Sequence, residues 1–177
     1  GGGRQAAREL VRRGYRSLAC MFKNDDRQGR ERERGFMDEL AIYGLSVPED
    51  RILRFTTEER MTLFNHEKGL EYARKLSRKG EVDGVCCYND AFASGLMRVM
   101  SERGVKFPQD VGINRFDNSS YAEMCHPRLT TFGHPKEAFG ATAAEKLLRM
   151  IGGEKERSVA MPWTFVERDS LPVVIGR

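Results

Sequence analysis

Apolar positions along this chain follow two rhythms that take turns. Short apolar-rich runs, Ser17–Phe22, Arg51–Phe55, Val85–Tyr88 and Val111–Phe116, have the character of strands covered on both faces of a sheet. Between them, apolar residues recur three or four apart: Ala6, Ala7, Leu10 and Val11; Phe36 and Leu40; Leu70, Ala73 and Leu76; Phe92, Leu96, Val99 and Met100. That spacing predicts helices over 4–13, over 30–43, from about 66 or 68 to 78, and after Asn89-Asp90. Gly14, Gly44, Gly80 and Gly104 stand where helix ends want a glycine. Glu58 to Asn65 follows neither rhythm, and 118–124 is an irregular polar stretch with room for one helical turn. Strands alternating with helices predict right-handed βαβ units, a parallel sheet and an α/β fold.

The tail departs from this order. Leu129–Phe132 reads as a short strand, Gly133 to Lys136 as a turn, and Glu137–Ile151 as a strong helix. Its residues Phe139, Ala143, Leu147, Met150 and Ile151 are expected to face inward. Trp163–Arg168 reads as a last strand. The chain therefore divides into 1–127, a segment 128–162 that looks as if it crosses to another lobe, and a final strand and tail, 163–177.

Candidate chemistry gathers where strands run out. Asn89 and Asp90 lie between a strand and its helix, and about twenty-five residues later the next strand ends in Asp117-Asn118. Both turns belong to the carboxyl edge of the sheet, where open α/β folds bind ligands. Helix capping alone is the competing account of Asn89 and Asp90. In the helix predicted over 30–43, Arg32, Phe36 and Leu40 fall at i, i+4 and i+8 and share one face. Phe36 and Leu40 must meet the sheet, so Arg32 points inward, toward that edge. Arg30 and Arg34 lie on other faces beside glutamates and read as solvated charge.

Composition narrows the classes. The 177 residues are 40% apolar, enough to bury a core, and 30 basic against 26 acidic residues leave a charge of +4. The two signs are interleaved, as in Arg30-Glu-Arg-Glu-Arg34, which suits solvated helix faces and not a nucleic-acid footprint. Cys20, Cys86, Cys87 and Cys125 have no metal spacing, and Cys86 and Cys87 must point to opposite faces of their strand. Buried cysteines of this kind suggest a reducing compartment, and with no signal peptide or long apolar run the chain is expected to be cytoplasmic, with no membrane partner. Three scattered histidines predict no metal site, His66 and His126 receive no role, and no cofactor is expected. Without a G-x-G-x-x-G, a P-loop or a paired nucleophile and base, no catalytic residue is assigned and an enzyme is not expected.

A set of motifs then coincides with one family. They are the pattern from Gly2 to Arg16, Arg32-x-x-Gly35-Phe36, Asn89-Asp90 with Ala93 and Gly95, Arg103-Gly104 with Pro108-x-Asp110-Val111, Phe116-Asp117, Leu129-Thr130-Thr131, Gly140 and Arg168-x-Ser170. Over nearly the whole chain this resembles the effector-binding module of LacI/GalR-type bacterial transcription regulators, which shares the two-lobed fold of periplasmic sugar-binding proteins (type I). Asp25-Asp-x-Gln28-Gly-x-x-Arg32 and His134-Pro135-Lys136 with Gly140 resemble its arabinose-responsive AraR branch. Members of that branch carry a winged-helix DNA-binding domain ahead of the module.

The resemblance implies a sensor: a repressor module that binds a small sugar effector, L-arabinose in the AraR branch, and controls operator DNA through a domain outside this chain, in an intact homodimer. It also implies that 1–127 is the carboxyl-terminal lobe, that 128–162 completes an amino-terminal lobe whose remainder lies before Gly1, and that the helix from Glu137 exposes an apolar face unless a partner covers it. Carried over position by position, Arg32, Asn89 and Asp117 are the sugar contacts, with Gln28 a further candidate and His134 reaching the ligand from the hinge. A carboxylate, a guanidinium and an amide suit hydroxyls that both donate and accept. Turn roles are the plain alternative for Asp117 and His134, and core roles for the nearby aromatics Phe116 and Tyr88. One position departs from the family, which has a glycine where this chain has Arg115, preceded by Asn114. A secreted sugar-binding protein of a transport system is the alternative function.

Overall fold

In the structure, a computed structural model that describes residues 1–174, helices and strands alternate as the rhythms require. The order is α1 (Gly2–Arg12), β1 (Leu18–Lys23), α2 (Arg27–Ile42), β2 (Ile52–Phe55), α3 (Glu67–Leu76), β3 (Gly84–Cys86), α4 (Asp90–Ser101), β4 (Gly112–Phe116), α5 (Tyr121–Met124), β5 (Thr130–Gly133), α6 (Lys136–Ile151) and β6 (Thr164–Val166). The stretch without a rhythm contains two short 3-10 turns, Glu59–Met61 and Leu63–Asn65. One sheet runs β2-β1-β3-β4-β5-β6, with the first five strands parallel and β6 antiparallel to β5. In this order the chain reverses direction across the sheet between β1 and β3, which opens a crevice at their carboxyl ends.

Each face of the sheet has its own core. Leu10, Phe22, Phe36, Leu40, Cys86 and Phe116 pack beneath α1 and α2, while Phe55, Leu76, Cys87, Phe92, Leu96 and Ile113 pack beneath α3 and α4. Cys86 and Cys87 fall into different cores, as strand alternation demands. Each fully buried Leu or Phe contributes on the order of 1.5–3 kcal/mol of transfer free energy, so this division gives both faces a driving force of their own.

Helix α2 starts at Arg27, three residues before the predicted start. Asp26 accepts a hydrogen bond from the Gly29 amide at 2.6 Å and so caps the helix within what reads as a polar loop. Gly29 sits so close to the end of β1 that an added Cβ would lie 1.9 Å from the Lys23 carbonyl oxygen. Gly3 of α1 likewise approaches the Arg32 carbonyl, where a Cβ would stand at 2.0 Å. These two contacts seat α2 against strand and helix and thereby fix where Arg32 enters the fold.

The tail brings a correction. Thr130–Gly133 is hydrogen-bonded into this sheet between β4 and β6, and Ser170 locks the return by accepting from the Thr130 amide and donating to the Ile113 carbonyl, both at 2.8 Å. The α6 side chains expected to face inward do not: α6 buries no residue, and Phe139, Leu147, Met150 and Ile151 are each more than half exposed. The apolar pattern is real, but among the described residues no surface covers it. Positions 175–177 of the predicted tail lie outside the described residues.

Candidate functional site

Arg32 is the centre of the crevice. Its place in α2, one turn before Phe36, carries the side chain inward, and only 4% of the residue is exposed. The guanidinium carbon stands 4.3 Å from the Phe116 ring, 5.2 Å from Trp163 and 5.3 Å from Tyr88. Each such contact is worth about 0.5–2 kcal/mol, so three rings replace part of the water the cation has lost. Nη1 donates to the Tyr88 carbonyl at 3.2 Å, whereas the buried Nε has no partner. Burial lowers the arginine's pKa and the neighbouring Asp117 opposes that shift.

Asp117 approaches from the end of β4. It adopts a left-handed backbone conformation, φ 97°, and its amide donates to the Phe132 carbonyl at 2.9 Å. Its carboxylate lies 3.6 Å from Arg32 Nη2, with 44% of the side chain exposed. Desolvation raises its pKa against the pull of Arg32. The two charges therefore face each other without closing a short hydrogen bond, leaving Nε as an unused donor and the carboxylate oxygens as acceptors.

Asn89 completes this edge from β3. Its Oδ1 accepts from the Phe92 amide at 3.0 Å and caps α4, so the capping account holds for the oxygen while the amide nitrogen remains a donor. Asp90 is turned away from the crevice into the opposite core, where it pairs with Arg115. His134, exposed just after β5, lies over Trp163 with ring centroids 3.5 Å apart. Burial, followed by the positive charge of Arg32, lowers its pKa. Gln28 stands exposed on the first turn of α2 and, among the described residues, has no hydrogen bond or ion pair to Arg32, Asn89, Asp117 or His134.

Four of the five predicted positions thus meet at one sheet edge, and Gln28, one helical turn before Arg32 on α2, makes no bond to them among the described residues. Phe116 and Tyr88 serve as core and as walls at once. The residue that sequence reasoning missed is Trp163, assigned only to the last strand. Its signal was slight: it is the one tryptophan of the chain. A cavity of about 620 Å³ lies at the opposite edge of the sheet beside Ser17, Asp83 and Arg103. There the Asp83 carboxylate accepts from the amides of Arg16 and Ser17 and is spent on the turn before β1.

Comparison with known proteins decides the family. The profile described as "periplasmic binding protein-like domain" matches residues 7–171. The chain belongs to this family. A similar relative is the arabinose metabolism transcriptional repressor of Geobacillus stearothermophilus, 35% identical over 167 residues that make up 93% of this chain and 44% of the relative. The repressor PurR of Vibrio cholerae is 32% identical over 96% of this chain and 50% of its own length. Among solved structures, a periplasmic binding protein/LacI transcriptional regulator from Alkaliphilus metalliredigens, complexed with D-xylulofuranose, superposes with a TM-score of 0.83 at 28% identity, covering 96% of this chain and 62% of that one.

This periplasmic binding protein-like domain spans about half the length of the curated relatives it matches. The two curated relatives are named as transcriptional repressors, and the solved structure as a periplasmic binding protein/LacI transcriptional regulator. Among the described residues no helix of the domain is long and apolar enough to cross a membrane.

Proposed function

We propose that this domain is the effector-sensing part of a bacterial transcriptional repressor, and that its crevice takes a small sugar, with L-arabinose the first candidate. The observation that carries the reading is the arginine itself: a buried guanidinium among three rings, with an unpartnered Nε and a carboxylate 3.6 Å away. A sugar hydroxyl donates to the Asp117 carboxylate that faces Arg32, its neighbour meets the Asn89 amide, and Trp163 with His134 offers a face to the ring's C–H groups. The arabinose-metabolism relative and the D-xylulofuranose complex support this ligand class.

In this reading the crevice has a second wall. Chain outside 1–177 supplies another lobe, α6 packs its apolar face there, and the sugar holds the lobes closed. Closure changes operator binding by DNA-binding domains paired in a cytoplasmic homodimer, and the sugar shifts that equilibrium only by its preference for the closed state.

The test is a thermal-shift panel of pentoses and hexoses on the full-length protein. A true effector at a hundred times its Kd adds about 2.7 kcal/mol, a shift of a few degrees. A shift with L-arabinose that disappears in Arg32→Met supports the whole reading. A shift with another sugar keeps the sensor and discards arabinose, and silence across the panel rejects a sugar site.

A further inference from the structure

The interior of β4 holds a feature that the crevice does not explain. Arg115 is fully buried on the face opposite Arg32, beneath α4. Its Nε donates to Asp90 Oδ1 at 3.0 Å and its Nη2 to the Leu129 carbonyl at 3.1 Å. Asp90 is 2% exposed, and its second oxygen accepts both the amide and the hydroxyl of Ser119. Arg168 donates to the same Leu129 carbonyl at 3.1 Å and to Asn118 Oδ1 at 3.0 Å, while the Asn118 amide donates to Thr131 Oγ1. The Ser119 bonds to Asp90 and the Asn118 bonds to Arg168 and Thr131 tie down the segment directly after Asp117.

That segment requires holding. Asp117 and Asn118 are the two described non-glycine residues with positive φ, at 97° and 46°. Consecutive left-handed residues are unfavourable for L side chains and persist only where the surroundings over-determine them. The conformation has a visible consequence, because it aims the Asp117 carboxylate back across the sheet edge at Arg32.

We propose that Arg115 is a positioning residue of the crevice: through Asp90 and Ser119 it holds the left-handed turn at Asp117–Asn118 and so sets the carboxylate opposite Arg32. The inference rests on the reading of the crevice as a sugar site for its effect on ligands, but the ordering of the turn is independent of any ligand. The Arg115 guanidinium, lowered to about 10 by burial and supported by Asp90, remains charged at neutral pH. The clamp is therefore permanently set, unlike a pH-operated one.

Ser119→Ala removes one bond to Asp90 and leaves the buried ion pair in place, so the protein folds. Two readouts are taken on the full-length protein: affinity for the pentose and hexose panel, and amide hydrogen exchange at 117–120. The expected result is faster exchange at Asn118 and Ser119, an unchanged β1–β3 core, and about tenfold weaker binding of whichever sugar binds the wild type, the loss typical of one hydrogen bond to a charged group. Unchanged exchange overturns the proposal, whatever happens to affinity. Faster exchange with unaltered affinity also overturns it, since the turn would then not position a ligand group. Where the wild type binds no sugar of the panel, the sugar reading fails, and the positioning of Asp117 is decided by exchange alone.

Discussion

Two arginines leave solvent on opposite faces of one sheet, and their surroundings differ in a way that separates support from recognition. Arg115 enters a socket under α4 in which a carboxylate at 3.0 Å and a carbonyl at 3.1 Å take its Nε and Nη2 donors, while its buried Nη1 has no partner. Arg32, 4% exposed, meets three aromatic rings, one carbonyl, and a carboxylate that stops at 3.6 Å. In the first site the countercharge is itself buried and further bonded, so the charge is spent on the fold. In the second the countercharge is 44% exposed and stops 3.6 Å from the nearest guanidinium nitrogen, Nη2. A buried cation held mainly by ring faces leaves its exposed countercharge open to something that arrives later.

The contrast is broken most severely at Arg115. Arg115→Met strands the Asp90 charge in the core and is expected to cost about 3–5 kcal/mol of stability by urea unfolding. Arg115→Met combined with Asp90→Asn removes both charges and is expected to recover most of that loss. Equal stability of the single and double variants contradicts the socket as described. Arg32→Met is expected to act the other way round: the loss of three cation–π contacts is offset by an apolar side chain among the same rings, so stability falls by about 1–2 kcal/mol at most while the thermal response to sugar disappears. A collapse in stability equal to that of Arg115→Met would place both arginines in the same class.

The smallest expected effect is a titration. His134, depressed by burial and by Arg32, should titrate below the ordinary histidine value of about 6.5, and Arg32→Met should move it upward in an NMR pH series. The folded-state value lies below the unfolded one. The His134 contribution to stability is therefore present above the unfolded pKa and is lost as pH falls through the folded value. A His134 that titrates identically in both proteins is not electrostatically linked to Arg32.

The same contrast marks what the sequence makes legible. Arg32 could be found because helical spacing ties it to Phe36 and Leu40 on its own element, and the sheet order then places it beside Asn89 at the crevice. Arg115 reads only as a polar residue in a strand that should be buried. Its partner Asp90 is 25 positions away, and their pairing depends on how α4 sits over β4, which no local pattern encodes. The start of α2 was missed for a local reason: Asp26 and the charged run after it look like loop until the cap is seen. In α6 the periodicity identifies the helix correctly, but periodicity specifies a face and not what lies against it. Trp163 escaped because its neighbours in space, Arg32, Phe116 and His134, come from three earlier elements.

That tryptophan has an optical consequence. It is the single indole of the chain, lying over the His134 ring with its own ring 5.2 Å from the Arg32 guanidinium. Emission excited at the red edge of protein absorbance therefore comes from the mouth of the crevice alone, with no second indole to dilute it. Protonation of His134, or anything that settles against the Arg32 guanidinium, alters the field around one fluorophore, so the domain carries its own label at the position where a spectroscopist would have attached one.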